Sequence, residues 1–181
     1  MTKLHLASSG QKLNQDIKQI YIDSFPSDER REWLELEQIL QQPKFNLTQV
    51  FDDQELIGFI STWNLPDFIF IEHFAIKKSV RGKGLGSQVI KLILNEKSPR
   101  IILEVEEPTT GSKMKRITFY ERLGFSVCES NYWQPPYCAD KSKVKMLLMS
   151  FPDKIHPREF TEIKTHIYRE VYQLKEFMDL E

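Results

Sequence analysis

Residues 81–87 carry the side chains whose types and spacing point most directly to chemistry. They read Arg-Gly-Lys-Gly-Leu-Gly-Ser, with glycine at every second position and two cations among them. Glycines let successive backbone N–H groups converge on an anion without interference from Cβ atoms. An apolar segment precedes this run and a helical pattern follows it, so its amides would lie at a helix N-terminus, which favours phosphate. The stretch therefore predicts a local anion-binding loop.

Two common phosphate-binding loops do not fit this spacing. A P-loop needs Gly-x-x-x-x-Gly-Lys followed by Ser or Thr, whereas Lys83 stands between two glycines. A dinucleotide-binding loop needs a third glycine at the position of Ser87. The remaining alternative is a plain turn that joins a strand to a helix. Such a turn needs only one or two special backbone positions, so three glycines with two cations favour an anion site.

The flanking periodicity predicts the elements that must position this loop. Helical spacing of apolar residues follows it over residues 85–95, and further helices are predicted near residues 13–24, 27–39 and 112–123. Seven segments show the alternation or apolar content of strands: residues 3–7, 45–51, 56–63, 68–76, 100–107, 125–128 and 144–150. We therefore expect an α/β (α+β) fold with a mixed, mainly antiparallel sheet of about seven strands flanked by helices.

The composition excludes several classes of protein. The 181 residues carry a net charge of −1, so the chain lacks the positive field of a nucleic-acid binder. No apolar run reaches the roughly 18 residues that a membrane span needs, and we expect no membrane partner. Cys128 and Cys138 are too few for a disulfide scaffold and lack zinc-ligand spacing with any histidine. We therefore expect a cytoplasmic protein without a bound metal.

Two motifs together resemble the GNAT superfamily of N-acetyltransferases. Residues 81–86 match its Arg/Gln-x-x-Gly-x-Gly/Ala signature, and residues 119–125, Phe-Tyr-Glu-Arg-Leu-Gly-Phe, are similar to its second signature. The order of the predicted elements from Lys3 to Ser150 also matches that fold. The resemblance implies that residues 1–150 form an N-acetyltransferase domain. Residues 151–181 then form a C-terminal helical extension outside it.

The resemblance implies acetyl-coenzyme A as the cofactor, with coenzyme A as the product. The amides of residues 82–87 would hold its pyrophosphate, and Arg81 and Lys83 would add positive charge. In this superfamily the pantetheine arm pairs with the strand before the loop, here residues 74–76. A backbone N–H of that strand would polarise the thioester carbonyl.

The chain departs from the family pattern in the helix of the second motif. Many members carry Asn seven residues before the motif tyrosine and a small residue four before it, where this chain has Lys113 and Arg116. The usual contact from that Asn is therefore lost, but either cation could reach a phosphate. The predicted cofactor-binding residues are Phe74, Ala75, Ile76, Arg81, Gly82, Lys83, Gly84, Leu85, Gly86, Ser87, Lys113 and Arg116.

Two side chains are predicted to manage protons while a neutral amine attacks directly. Glu72 shares a strand face with Phe70 and Phe74. These apolar neighbours would raise the pKa of its carboxyl toward a value useful for a general base. The alternative is a carboxylate that merely pairs with a nearby cation. His73 points to the opposite face in a regular strand, although a bulge would reverse that assignment. Tyr120 resembles the family tyrosine that protonates the leaving thiolate, and a core tyrosine is the alternative.

Four residues are predicted to contact the acceptor. Phe25 and Glu29 lie in the turn between the first two helices. In this superfamily that turn usually forms one wall of the acceptor pocket. Glu104 would attract a cationic amine, although a solvated acidic edge is an equal alternative. Trp133 could contact an amine through its ring, and core packing explains it equally well.

The function that we expect is transfer of an acetyl group to a primary amine of a small molecule, by direct attack in a ternary complex. Two alternatives stay open: an acetyltransferase for protein or peptide amines, and a non-catalytic acyl-coenzyme A-binding regulatory module. The apolar spacing from Phe160 to Met178 predicts one amphipathic helix. This helix packs either on its own domain or on a second subunit in a homodimer.

Overall fold

The computed structural model describes residues 4–10, 13–95 and 100–176. The chain forms two compact units: residues up to 64 with residues 71–98, and residues 65–70 with those from 99 onward. Within the described ranges, seven strands and the helices between them confirm the predicted α/β fold class. The predicted division into residues 1–150 and 151–181 uses another boundary and stays a prediction. Among the helices of the described ranges, none has the length and apolar content to cross a membrane.

The first unit carries the glycine-rich loop. Its elements in chain order are β1 (Leu4–Ser8), α1 (Gln15–Ser24), a 3-10 turn (Ser27–Glu29), α2 (Trp33–Ile39), β2 (Phe45–Asp52), β3 (Glu55–Asn64), β4 (Phe68–Ile76), a second 3-10 turn (Lys78–Val80) and α3 (Leu85–Asn95). The first residues of β4 belong to the second unit. The strands follow the order β1-β2-β3-β4, and β2 pairs antiparallel with both β1 and β3.

Gly58 fixes the end of β4 against β3. A Cβ atom at this position would lie 2.3 Å from the carbonyl oxygen of Ala75 and 2.8 Å from Cδ1 of Ile76. Only glycine allows the two backbones to approach this closely. The N–H of Lys77 also donates to the carbonyl of Ile57 at 2.7 Å. The strand end that leads into the glycine loop is therefore held by main-chain contacts.

The second unit contains the remaining elements. These are β5 (Arg100–Glu106), α4 (Gly111–Glu121), β6 (Ser126–Gln134), β7 (Val144–Phe151) and α5 (Pro157–His166), which continues as a π-helical turn (Ile167–Val171). Strand β7 lies between β5 and β6 and pairs antiparallel with both. Strand β6 is longer than the predicted residues 125–128, because an irregularity between Cys128 and Tyr132 lets pairing resume after three polar residues.

The prediction of one helix up to Met178 is wrong. Helical structure ends at Val171, and Met178 lies outside the described residues. Gln173 adopts a left-handed φ of 56°, and the N–H of Leu174 returns to the carbonyl of Tyr168 at 3.0 Å. These two features end the helix, as C-terminal caps do elsewhere. Tyr168 and Tyr172 are both buried around this turn.

Candidate functional site

The glycine loop joins β4 to α3 with the geometry of an anion cradle. Gly82 and Gly84 have φ values of 81° and 80°, which glycine adopts without the steric penalty of a Cβ atom. A Cβ atom at either position would meet nothing within 4 Å, so the space beside both residues is open. Buried Leu85 then begins α3. The loop thus presents main-chain N–H groups at a helix N-terminus, where an anion is favoured.

The two cations of the loop differ in their surroundings. Nε of Arg81 donates to the carbonyl of Ile76 at 2.7 Å, and its Nη2 donates to Oγ of Ser24 at 3.2 Å. Arg81 therefore braces the loop against the end of β4 and against α1. Lys83 is exposed, and it forms no ion pair in the part of the chain that the structure describes. Its charge is the one that the loop offers directly to a bound anion.

The main chain of β4 is reachable from solvent at Glu72. The side chain of this residue is 1% exposed, yet the residue as a whole is only half-buried. Its exposed surface therefore belongs to the main chain. Ala75 and Ile76, which follow on the same strand, are buried, and Phe74 is half-buried. An extended ligand could reach hydrogen-bonding groups of the strand backbone here.

The carboxylate of Glu72 is held by two donors. Nε of Arg31 donates to its Oε1 at 2.9 Å, and Nε1 of Trp63 donates to its Oε2 at 2.8 Å. Arg31 is itself buried, so this is a buried ion pair with an additional indole donor. The pairing with a cation that sequence reasoning kept as an alternative is thus present. The role of Glu72 as a base stays a prediction.

His73 anchors the turn after α1 to β4. Its Nε2 donates to the carbonyl of Glu29 at 3.0 Å, and its ring contacts that of Phe25 with centroids 4.6 Å apart. Burial lowers the pKa of His73, while the neighbouring negative charge of Glu72 opposes that shift. The structure therefore brings both predicted acceptor residues of this turn, Phe25 and Glu29, into contact with β4.

Glu72 and His73 depart from regular strand alternation. The carboxylate of Glu72 accepts from Nε1 of Trp63, and Nδ1 of His73 lies 3.5 Å from Oγ of Ser61. Ser61 and Trp63 are two positions apart on β3, which places them on one strand face. In a regular strand, neighbouring residues would point to opposite faces.

Tyr120 lies on α4 in the second unit. The residue is 7% exposed, and its ring is edge-on to the rings of Phe119 and Phe125. Burial raises the pKa of Tyr120 to about 12, against the opposing positive charge of Arg116. Its hydroxyl donates to no group among the described residues. The phenol is thus protonated at neutral pH and able to donate. Its role as an acid stays a prediction.

The two predicted phosphate-binding cations of α4 share one carboxylate. Nζ of Lys113 lies 3.3 Å from Oε1 of Glu106, and Nη1 of Arg116 contacts Oε2 of the same residue. Glu106 is largely buried at this point. The pairing offsets part of the positive charge of both residues, and their role toward a phosphate stays a prediction.

Glu104 is held by tyrosines. The hydroxyl of Tyr132 donates to its Oε1, and the hydroxyl of Tyr172 donates to its Oε2 at 2.8 Å. Burial and the nearby charge of Glu104 raise the pKa of Tyr132, which keeps this donor protonated. Sequence reasoning missed Tyr172, although its spacing of four residues from Tyr168 places both on one helix face.

Trp133 already has cationic neighbours. Nζ of Lys143 lies 4.9 Å from the centroid of its ring and Nζ of Lys145 lies 5.0 Å from it. Both distances fall within the range of cation–π attraction. A cationic acceptor would compete with these two lysines for the ring.

A group of potential metal ligands lies elsewhere in the second unit. Asp67, Glu162 and His166 bring one ligand-type atom each within 4.8 Å of one another. The two carboxylates are exposed and the histidine is half-buried. Exposed groups of this kind are common without an ion, so no chemistry is assigned to them.

Comparison with known proteins agrees with this geometry. The sequence model of the acetyltransferase (GNAT) family matches residues 14–125, a range that includes β4, the glycine loop and Tyr120. The Bacillus subtilis (strain 168) protein YjbC, which is named as an acetyltransferase, is 29% identical over 113 residues. Streptothricin acetyltransferase of Escherichia coli is 32% identical over 80 residues. These matches cover 60% and 42% of this chain, and they span 58% and 45% of the two relatives.

Solved structures extend the similarity over most of the chain. An acetyltransferase of the GNAT family from Bacteroides thetaiotaomicron superposes with a TM-score of 0.83 at 31% identity, over 89% of this chain and 92% of that one. A GNAT-family acetyltransferase from Elizabethkingia anophelis, solved with acetyl-coenzyme A bound, shares the fold. Its TM-score is 0.56 at 14% identity, over 82% of this chain and 96% of that one.

Proposed function

The chain belongs to the acetyltransferase (GNAT) family, and from that premise we propose that it transfers an acetyl group from acetyl-coenzyme A to a primary amine of a small molecule. The observation that carries this proposal is the open cradle at Gly82 and Gly84, which follows, after one 3-10 turn, a strand whose main chain is accessible at Glu72. The first feature suits a pyrophosphate and the second suits an extended arm.

The first unit contains groups that fit both the pyrophosphate and the pantetheine arm of the coenzyme. The amides of residues 82–87 would hold its pyrophosphate, and the exposed charge of Lys83 would add to their attraction. Of the predicted pairing residues 74–76, Ala75 and Ile76 are buried, so the pantetheine arm would pair with the main chain of β4 near Glu72 and Phe74. When bound, the coenzyme supplies the acetyl group as an activated thioester. Arg81 supports this arrangement because it ties the loop to the carbonyl of Ile76.

Tyr120 is the side chain best suited to deliver a proton. Its raised pKa of about 12 keeps the phenol protonated throughout the neutral range. A proton donor of this kind suits a leaving thiolate. Glu72 is the predicted base, but its contacts with Arg31 and Trp63 favour the ionised carboxylate and compete with proton uptake.

Groups of two kinds are the proposed contacts of the acceptor. Phe25 and Glu29 supply a turn that His73 fixes to β4, so this wall is rigid. Glu104 supplies a carboxylate that Tyr132 and Tyr172 orient. A rigid wall and an oriented negative charge suit a small cationic molecule.

The test combines calorimetry with acyl transfer. Acetyl-coenzyme A is titrated into the protein, and free thiol is then measured with polyamines, amino acids, aminoglycosides and peptides as acceptors. We expect binding together with thiol release for at least one small amine. Release with peptides alone would indicate a protein acetyltransferase. Binding without release for any acceptor would indicate a regulatory acyl-coenzyme A-binding module, and absence of binding would refute the proposal.

A further inference from the structure

Arg81 joins the glycine loop to two other elements of the first unit. Its Nε donates to the carbonyl of Ile76 at 2.7 Å, so the side chain folds back over the second 3-10 turn. Its Nη2 donates to Oγ of Ser24 at 3.2 Å. Ile76 is the last residue of β4, and Ser24 is the last residue of α1. One guanidinium thus links the loop to the end of a strand and to the end of a helix.

Ser24 directly precedes the turn that carries two predicted acceptor contacts. Phe25 is the next residue in the chain, and its ring contacts that of His73 with centroids 4.6 Å apart. At the other end of the turn, the carbonyl of Glu29 accepts from Nε2 of His73 at 3.0 Å. A shift at the end of α1 would therefore displace Phe25 first, and the contact of this turn with β4 would change with it.

The end of α1 is not packed tightly against the 3-10 turn that precedes the loop. A cavity of about 290 Å³ lies between them, with Asp23, Ser24, Lys78 and Ser79 among the residues that line it. Because protein atoms do not fill this space, dispersion contacts hold the helix to the turn only weakly there. The hydrogen bond from Arg81 to Ser24 is therefore a direct connection between the loop and the helix.

An anion on the loop would restrain this connection. The pyrophosphate of the coenzyme would hold the amides of residues 82–87, and Arg81 directly precedes the first of them. A restrained loop restrains Arg81, and Arg81 in turn restrains the end of α1. When one ligand orders a region that a second ligand needs in order, the second ligand loses less conformational entropy on binding. The coenzyme would therefore prepare the acceptor turn.

We infer that Ser24 is a positioning residue, through which coenzyme bound at the glycine loop orders the acceptor turn at residues 25–31. This inference rests on the proposed acetyltransferase function and adds a coupling between its two binding sites. Ser24 is neither a predicted cofactor-binding residue nor a predicted acceptor contact, and it acts through Arg81 and Phe25. Because coupling between two binding equilibria is reciprocal, a bound acceptor also strengthens the binding of the coenzyme.

Hydrogen–deuterium exchange with coenzyme A as the added ligand tests this connection. The reporters are the amide of Arg30, which donates to the carbonyl of Ser27, and the amide of Arg31, which donates to the hydroxyl of Tyr21. We expect coenzyme A to slow their exchange in the wild type by about fivefold, near the lower limit of typical coupling between sites. In Ser24→Ala their exchange should stay nearly unchanged, while the amides of the glycine loop are protected as in the wild type.

Two further variants separate the hydrogen bond from other effects of substitution. Ser24→Thr keeps a hydroxyl at this position and should restore the response of the wild type. Ser8→Ala is the matched control, because it removes an exposed serine hydroxyl that accepts from the N–H of Gly10 and involves neither α1 nor the glycine loop. This control should respond as the wild type does. Calorimetry gives the concentration of coenzyme A that saturates each protein, and thermal melting shows whether the fold is retained.

The outcomes separate this inference from the function beneath it. Coenzyme A that protects the glycine loop but not the acceptor turn of the wild type would overturn the inference and leave the function intact. Equal protection of the turn in the wild type and in Ser24→Ala, or a failure of Ser24→Thr to restore it, would also overturn the inference. No binding of coenzyme A to the folded wild type would refute both the function and the inference.

Discussion

Nε of Arg31 lies 2.9 Å from Oε1 of Glu72, and neither side chain is more than 5% exposed. This ion pair joins the turn after α1 to β4, where His73 makes a second connection to the carbonyl of Glu29. Residues of this turn include the predicted acceptor contacts Phe25 and Glu29. The geometry of the proposed acceptor site therefore depends on buried polar contacts.

Loss of Arg31 should be costly to stability. We expect Arg31→Met to lower the free energy of unfolding by about 3 kcal/mol, because it leaves the Glu72 carboxylate buried without its cation. Adding Glu72→Gln should restore part of the loss, since the amide oxygen can still accept from Trp63. Urea denaturation measures both. Lys77→Met is the control: its pair with Glu55 is exposed and should contribute less than about 1 kcal/mol. Equal losses in the two single variants would contradict the assignment.

The single variant Glu72→Gln distinguishes a general base from an anchor, meaning a carboxylate that only holds Arg31 and Trp63 in place. A general base would give kcat/KM an acidic limb that disappears in this variant. The contacts with Arg31 and Trp63 favour the anchor, so we expect the limb to persist while stability falls. A pH profile of kcat/KM decides the question. A flat profile in the variant would establish Glu72 as the base.

The stability of the protein should fall as the pH drops below about 6.5. Burial lowers the pKa of His73 from its usual 6.5, so the unfolded chain takes up a proton before the folded one. The stabilising contribution is complete above pH 6.5 and is lost as the pH falls toward the folded pKa. We expect a steeper acidic decline of the melting temperature in the wild type than in His73→Gln. Parallel curves would rule out His73 as the cause.

Tyr120→Phe should slow catalysis more than it weakens binding. If the hydroxyl donates the proton, kcat should fall by about 10² or more while the Kd of acetyl-coenzyme A stays within a few-fold. Because the pKa of Tyr120 is about 12, the wild-type rate should show no loss from its ionisation up to about pH 10. Equal effects on kcat and Kd would indicate a structural hydroxyl.

Some of this structure was predictable because it depends on local sequence. The glycine loop is specified by residues whose backbone freedom is needed at φ values of 81° and 80°, and the apolar run before it specifies β4. Tyr120 was singled out by the motif at residues 119–125, which begins in α4. In each case the residues that matter are neighbours in the chain, and periodicity is sensitive to neighbours.

The contacts that the predicted site residues make within each unit were not predictable, because they join residues distant in the chain. Arg31 and Glu72 are 41 positions apart, and Glu104 and Tyr172 are 68 apart. The side chains of Glu72 and His73 both contact one face of β3, at Trp63 and Ser61, which strand alternation alone does not predict. The prediction of a helix up to Met178 failed for a different reason, which is the backbone conformation of one residue. Gln173 adopts a left-handed φ that nothing in the apolar spacing indicates.

The role of the glycine loop can be separated from its effect on folding with a matched pair of variants. Gly84 and Gly10 both have positive φ, and a Cβ atom at either would meet nothing within 4 Å. Gly84→Ala and Gly10→Ala should therefore cost similar stability, about 1–2 kcal/mol. Calorimetry with acetyl-coenzyme A then measures how far the two variants differ in affinity for the coenzyme.

The most direct measurement is mass spectrometry of a small amine after incubation with acetyl-coenzyme A and each of these proteins, alongside that calorimetry. We predict acetylated amine with the wild type and with Gly10→Ala, and weakened binding with little product for Gly84→Ala. Unchanged affinity and product in Gly84→Ala, or no acetylated amine with the folded wild type, would contradict acetyl transfer at this loop.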